Sequence, residues 1–170
     1  MATKTDILDA ARSVLRRGES LTLDSVAREA GLTKPGLVYH FATKEVLSIA
    51  VMEYVLEAWE VDLTKRAGAD PTPKRRLKTY VEHALATDFD ASDLALLADV
   101  RVRETLTSKW TQRMDPWFGG ELAAHPNACA ARLIADGAWF NQSLSLMSLD
   151  STDSAVVLEL AMRLIDGIDE

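Results

Sequence analysis

Apolar residues recur along most of the chain at three- and four-residue spacing, the period of helices with one face turned inward. Ile7, Ala10, Ala11, Val14 and Leu15 share a face of a helix expected over Lys4 to Arg17. After Thr43, which is placed to cap it, a long helix is expected from Lys44 to Arg66. Its apolar residues Val46, Leu47, Ile49, Ala50, Met52, Val55, Leu56 and Trp59 spread around much of the circumference, so burial is expected on more than one side. The stretch Ala67 to Pro73 holds Gly68 and two prolines and breaks the pattern. Further helices are expected over Lys74 to Thr87, Asp90 to Leu106 (with Leu94, Leu97, Ala98 and Val102 inward) and Ser108 to Phe118. The pattern ends in helices over Pro126 to Leu149 and Asp150 to Ile168, both with more apolar surface than one small core needs.

Between Leu21 and Lys44 the elements become very short. Thr22 precedes Leu23, Val26, Ala27 and Ala30, a capping hydroxyl ahead of helically spaced apolar residues. Gly31 supplies the left-handed conformation that ends such a helix, and Leu32 can fold back onto it. Thr33 then opens a second helix, with Lys34, Pro35 and Gly36 in its first turn, where proline is tolerated. Leu37, Val38 and Phe41 are expected inward, leaving Lys34, Tyr39, His40 and Lys44 outside. Two short helices across a tight glycine turn are a helix-turn-helix, whose second helix can lie in a major groove of DNA.

Composition supports an all-helical reading: 170 residues, 48% hydrophobic and 26% charged, with only eight glycines and five prolines. The net charge of −7 argues at first against nucleic acid as a partner. Its distribution reverses the inference. Residues 1–50 carry seven Lys/Arg against six Asp/Glu, whereas two basic residues face nine acidic ones from Met114 onward. The one cysteine, Cys129, sits in an alanine-rich helix where an inert buried thiol is the common case. With no basic-then-apolar leader and no apolar run approaching the roughly twenty residues of a membrane span, the expected compartment is cytoplasmic, with no membrane partner.

The N-terminal helix together with Leu23, Val26, Ala27, Ala30-Gly31-Leu32-Thr33, Tyr39-His40-Phe41, Thr43-Lys44-Glu45 and Leu47 resembles the TetR family of transcriptional regulators. The resemblance is specific over the first fifty residues and architectural beyond them. Two departures stand out: Pro35 where the family more often has glycine or another small residue, and Val38 where an aromatic is usual. The resemblance implies an all-α chain with a three-helix helix-turn-helix DNA-binding domain (1–48). A helical ligand-binding and dimerisation domain (49–170) follows, its last two helices pairing with a second copy. It implies a ligand-responsive homodimeric repressor on a palindromic double-stranded operator.

On that reading Thr33, Tyr39 and Lys44 contact phosphates and Lys34, Gly36 and Leu37 approach base edges, with Thr22, Pro35 and His40 completing the DNA-facing set. The blander alternative is a helical corner in which Tyr39 and His40 simply pack. A protein-interaction module that keeps the helix-turn-helix as scaffold also stands open. The basic run Lys74-Arg75-Arg76 with Lys78 reads as a solvated helix start, because no aromatics interleave to stack bases.

Trp59, Phe89, Trp110, Met114, Trp117, Phe118, Trp139, Phe140 and Met147, with His83, Asn141 and Gln142 as polar groups, are candidates to line an effector cavity. Aromatics at helical spacing are equally core. The acidic C-terminal half favours an apolar, neutral or cationic effector. Glu121, His125 and Cys129 are spaced four apart but interrupted by Pro126, and no Glu-x-x-His pair, zinc-spaced cluster or phosphate loop appears, so neither an enzyme nor a cofactor is expected.

Overall fold

The computed structural model describes residues 2–87, 89, 92–96, 99–118, 120–147 and 149–168. Among these there are nine α-helices and no strand: α1 (Lys4–Arg16), α2 (Leu23–Glu29), α3 (Lys34–His40), α4 (Lys44–Ala67), α5 (Pro73–Ala86), α6 (Ser92–Ala95), α7 (Arg103–Met114), α8 (Pro126–Ser143) and α9 (Ser151–Asp166). The chain divides into two compact units, residues 1–57 with 90–110 and residues 58–89 with 111–170. A single cut at residue 48 is therefore not how the contacts fall. Both α4 and α7 contribute residues to each unit, and α6 belongs with the N-terminal helices.

The N-terminal unit is built on α1, whose Ile7, Ala11 and Val14 are fully buried, with Val26, Leu37, Leu47 and Val51 joining them from α2, α3 and α4. Thr3 and Thr22 cap α1 and α2 with reciprocal side-chain and backbone hydrogen bonds. Arg17 grips both oxygens of Glu29 at 3.0 and 2.7 Å, and Tyr54 Oη donates to Asp9 at 2.9 Å, linking α1 to the end of α2 and to α4. On α4, burial follows one broad band through Leu47, Ser48, Val51, Met52, Val55, Leu56, Trp59 and Leu63. Val46 and Val61 face solvent. The band is narrower than the sequence pattern suggested.

In the C-terminal unit α5, α8 and α9 pack against one another. The fully buried Tyr80 on α5 donates to Asp136 on α8 at 2.5 Å. Burial first, then the Asp136 carboxylate, pushes the phenol far above its usual range, so Tyr80 remains a donor. The basic run has a structural occupation rather than a solvated one. Lys74 donates to the carbonyls of Asp166 and Ile168, Lys78 pairs with Asp166, and Arg75 donates to the Arg66 carbonyl. These cations close the C-terminal ends of α9 and α4, where free carbonyls and the helix dipole favour positive charge.

Three expected elements differ. The helix over Asp90 to Leu106 is broken: among the described residues before Arg103, where α7 begins, only Ser92–Ala95 is α-helical. The break lies at Asp99, whose carboxylate accepts the Arg101 backbone N–H at 3.1 Å while its carbonyl accepts from Val102 and Arg103. A side chain that offers the backbone an alternative acceptor competes with helix continuation. Leu97 and Ala98, expected inward there, lie outside the described residues. The segment expected over Ser108 to Phe118 forms the end of α7 and a 3₁₀ turn at Asp115–Trp117, with Pro116 in it.

The third difference is that α8 stops at Ser143 rather than running to Leu149. Ser145 takes φ +52°, and the Leu146 N–H reaches back to the Asn141 carbonyl at 3.0 Å. That is the helix-ending turn expected at Gly31, where φ is +65° and Leu32 N–H reaches the Ala27 carbonyl at 2.8 Å. No atom would lie within 4 Å of a Cβ built at Gly31, so alanine there meets only backbone strain. Gly31→Ala is expected to cost about 1–2 kcal/mol and Ser145→Gly to add about 0.5–1 kcal/mol. Urea-unfolding midpoints of the two variants should move in opposite directions; midpoints unmoved from the parent would remove the strain argument.

Candidate nucleic-acid interface and ligand cavity

The reader starts at the turn around Gly31, which sends the chain from α2 into α3. Thr33 caps α3, its Oγ1 accepting the Gly36 N–H at 3.3 Å, and a Cβ at Gly36 would crowd that same hydroxyl at 3.3 Å. A seven-residue helix has little stability of its own. It is held by Leu37, fully buried, and by Phe41 just beyond its end. Fully burying Leu37 contributes about 1.5–3 kcal/mol.

Leu37 was expected both to anchor the helix and to approach bases; its burial leaves only the anchoring role. Val38, expected inward, is instead 38% exposed. The outward face carries Thr33, Lys34, Pro35 and Tyr39, with Tyr39 82% exposed and edge-on to the half-buried His40 at 5.4 Å. Thr22 is exposed but occupied as a cap, its Oγ1 accepting the Ser25 N–H at 3.0 Å.

The two lysines of this region are both paired. Lys34 Nζ lies 2.8 Å from Asp24 Oδ2 in an exposed pair. Lys44, the first residue of α4, lies 2.8 Å from Asp99 Oδ2. Arg101 bridges Asp99 and Glu45 at 3.1 and 3.0 Å. No sequence signal announced Asp99 as a partner.

The aromatic candidates do not form one pocket. Trp59, His83 and Trp139 cluster with Phe89, with ring centroids 4.7 to 6.4 Å apart. Phe118 packs edge-on to Tyr80 at 5.1 Å beneath the Arg132 guanidinium, and Met114 and Trp117 are buried core. Trp110 belongs to the N-terminal unit, and Phe140 is 45% exposed. Cys129 is exposed, contrary to the expected buried thiol, and His125 is the N-cap of α8.

A cavity of 350 Å³ lies instead among the ends of α5 and α8 and the loop before α9. Ala84, Leu85, Phe89, Ala138, Met147 and Leu149 line it together with Asn141, Gln142, Ser145 and Ser154. Among the described residues its walls are apolar side chains, amides and hydroxyls, with no charged group. Phe89, Met147, Asn141 and Gln142 are the expected residues that reach it. Ser145 was missed, because the helix end at Ser143 that brings the loop back was not visible in the pattern.

Residues 7–51 match the model of bacterial regulatory proteins of the tetR family, and residues 74–166 the tetracyclin repressor-like C-terminal domain. The chain belongs to the TetR family. Among curated TetR-family relatives, it is 33% identical over 95 residues to the HTH-type transcriptional regulator BetI of Brucella anthropi, covering 54% of this chain and 46% of BetI. It is 35% identical over 68 residues to the regulator RutR of Escherichia coli, covering 40% of this chain and 32% of RutR. The chain thus spans less than half the length of these relatives. In fold it is similar to the multidrug binding protein EbrR complexed with ethidium (TM-score 0.61, 23% identity, 95% of this chain and 96% of that one). It is also similar to FadR of Bacillus subtilis in complex with stearoyl-CoA (TM-score 0.60, 14% identity, 98% and 100%). Among the described residues no cluster of three or more His, Cys, Asp and Glu could hold a metal ion, and no helix is long and apolar enough to cross a membrane.

His83 carries a pH dependence. Burial pushes its imidazole below the usual value, partly opposed by Asp62, whose Oδ2 lies 2.8 Å from Nδ1. On Asp62 burial acts upward, but Arg66 and His83 outweigh it and hold the carboxyl low. With the folded value below the unfolded one, the stabilising effect of a neutral His83 is complete above about pH 6.5 and is lost as pH falls through the folded value. The urea midpoint should therefore fall between about pH 7 and about pH 5.5, and fall less in His83→Gln. Equal pH profiles for the two proteins would contradict a buried neutral imidazole.

Proposed function

We propose that this TetR-family chain is a homodimeric repressor that reads an inverted-repeat operator and is released by a small neutral effector. The observation that carries the reading is the division of α3: Leu37 is fully buried while Lys34, Pro35 and the 82% exposed Tyr39 form an outward face on a helix short enough for a major groove. Thr33 and Tyr39, with Lys44 at the start of α4, are assigned to phosphates. Lys34, Pro35 and Gly36 are assigned to base edges, and His40 supports Tyr39. The charge distribution suits this, with the acidic excess lying beyond residue 50.

One seven-residue helix makes few contacts, so two readers at fixed spacing are needed. A surface for a second copy is available on α8 and α9. Leu133 and Phe140 fall on one stripe of α8, continued by Leu144 at its C-cap, and Val156 and Leu160 on α9, all between 45% and 64% exposed. The 350 Å³ cavity is the proposed effector seat. It lies at the small end of ligand pockets, and among the described residues its lining of amides, hydroxyls and apolar groups suits a neutral molecule with an apolar body. Ligands bound in EbrR and FadR support an effector-binding role for a chain of this fold. Such a ligand releases DNA only as far as it prefers the conformation with the wrong reader spacing.

DNA affinity should fall steeply with salt, and Lys44→Ala should weaken it and lower the log–log salt slope by about one per reader. Fluorescence anisotropy on a labelled duplex across a salt series measures both; salt-independent binding would sink the operator reading. Leu133→Asp with Leu160→Asp should give a folded monomer by analytical ultracentrifugation, with at least a tenfold loss of DNA affinity estimated roughly from halving the contacts. A variant that stays dimeric would move the interface elsewhere.

A further inference from the structure

Lys44 and Lys34 are each engaged by a carboxylate, but the two pairs differ in kind. Asp24 is 69% exposed, so its pair with Lys34 is open to water and salt. Asp99 is only 18% exposed and is fixed from several sides. Its Oδ1 accepts the Arg101 backbone N–H at 3.1 Å and Arg101 Nε at 3.2 Å, and its Oδ2 accepts Arg101 Nη2 at 3.1 Å and Lys44 Nζ at 2.8 Å. Arg101 first, with Lys44, holds the Asp99 carboxyl well below the usual carboxylate range. The anion is thus a rigid fixture of the turn before α7. Lys44, on a flexible four-carbon stem, is the partner able to move.

Lys44, Glu45, Asp99 and Arg101 form a four-charge cluster of zero net charge at the first turn of α4. A 480 Å³ cleft lined in part by Lys44, Asp99 and Arg101 keeps this cluster open to incoming groups. A phosphate approaching Lys44 meets an ammonium already satisfied by an oxygen anion and, beside it, a carboxylate of its own sign. We propose that Asp99 sets the DNA affinity of the reader by competing with backbone phosphate for the Lys44 ammonium. Asp99 acts as an internal stand-in for a phosphate oxygen, and its grip is released when DNA supplies the real one. The inference rests on the reading of Lys44 as a phosphate contact.

Asp99→Asn is the informative variant, because the amide oxygen still accepts the Arg101 backbone N–H and preserves the turn. Asp99→Ser, which can make the same turn through its hydroxyl, provides a second variant should the first fold poorly. Asp70→Asn makes the same charge change in an exposed loop at φ +49°, which asparagine tolerates. Binding of each full-length protein to a labelled random-sequence duplex is followed across a salt series, with circular dichroism confirming helical content.

Asp99→Asn should tighten binding about threefold to tenfold at low salt. Asp70→Asn should not, and the gain should disappear in the Lys44→Ala background. A gain that survives Lys44→Ala would assign the effect to Arg101 or to net charge and overturn the competition. Unchanged or weaker binding by Asp99→Asn, with Lys44→Ala still weakening it, would overturn the competition while leaving Lys44 as a phosphate contact. No effect of Lys44→Ala would overturn that underlying reading as well.

Discussion

The exposure of the reader helix depends on one backbone turn. Gly31 in the left-handed conformation lets the Leu32 N–H reach the Ala27 carbonyl, which ends α2 and fixes the direction in which the chain leaves it. Thr33 then stands where a cap is required, and the next turn of helix drives Leu37 into the N-terminal core. With Leu37 fixed inward, Lys34 and Tyr39 are left on the exposed face, Lys34 paired there with Asp24. The chemistry offered to DNA is thus a by-product of how the helix is anchored: the sequence spends its apolar residues on holding a short helix still and leaves a small polar face for recognition.

Charge follows a similar economy. Cations that look available in the sequence are engaged in the folded chain: Lys74, Arg75 and Lys78 close helix ends in the C-terminal unit, and Lys34 and Lys44 hold carboxylates in the N-terminal one. For the first group the partners are backbone carbonyls and a helix-terminal acid, a structural use. For the second the partners are side-chain carboxylates, and on the proposed reading phosphate replaces the one on Lys44. Whether a basic residue serves the fold or the ligand is decided by whether its partner can be exchanged for one from outside.

The N-terminal half was largely legible because its signals are local. Thr22 and Thr33 announce helix starts through hydroxyl caps, and Gly31 announces an end through the one residue type that takes positive φ freely. Where the same geometry is built from other residues the signal vanishes. Ser145 ends α8 in a left-handed conformation without a glycine, so the loop that returns to line the cavity was read as helix. The break at Asp99 was hidden for a related reason, since the apolar spacing around it continues while its carboxylate captures a backbone N–H. The pairing of Lys44 with Asp99 joins residues 55 apart and is set by tertiary packing alone. Leu37 was misassigned in part because an apolar residue in a recognition helix can serve either side, and only its burial decides.

The account stands on α3 being a sequence reader presented twice. Selection of bound fragments from a random DNA pool by the purified protein at moderate salt, followed by sequencing, tests that most directly. Enrichment of an inverted repeat with half-sites at one fixed spacing is the predicted result. Failure to enrich any sequence by a protein shown to be folded and dimeric would contradict it.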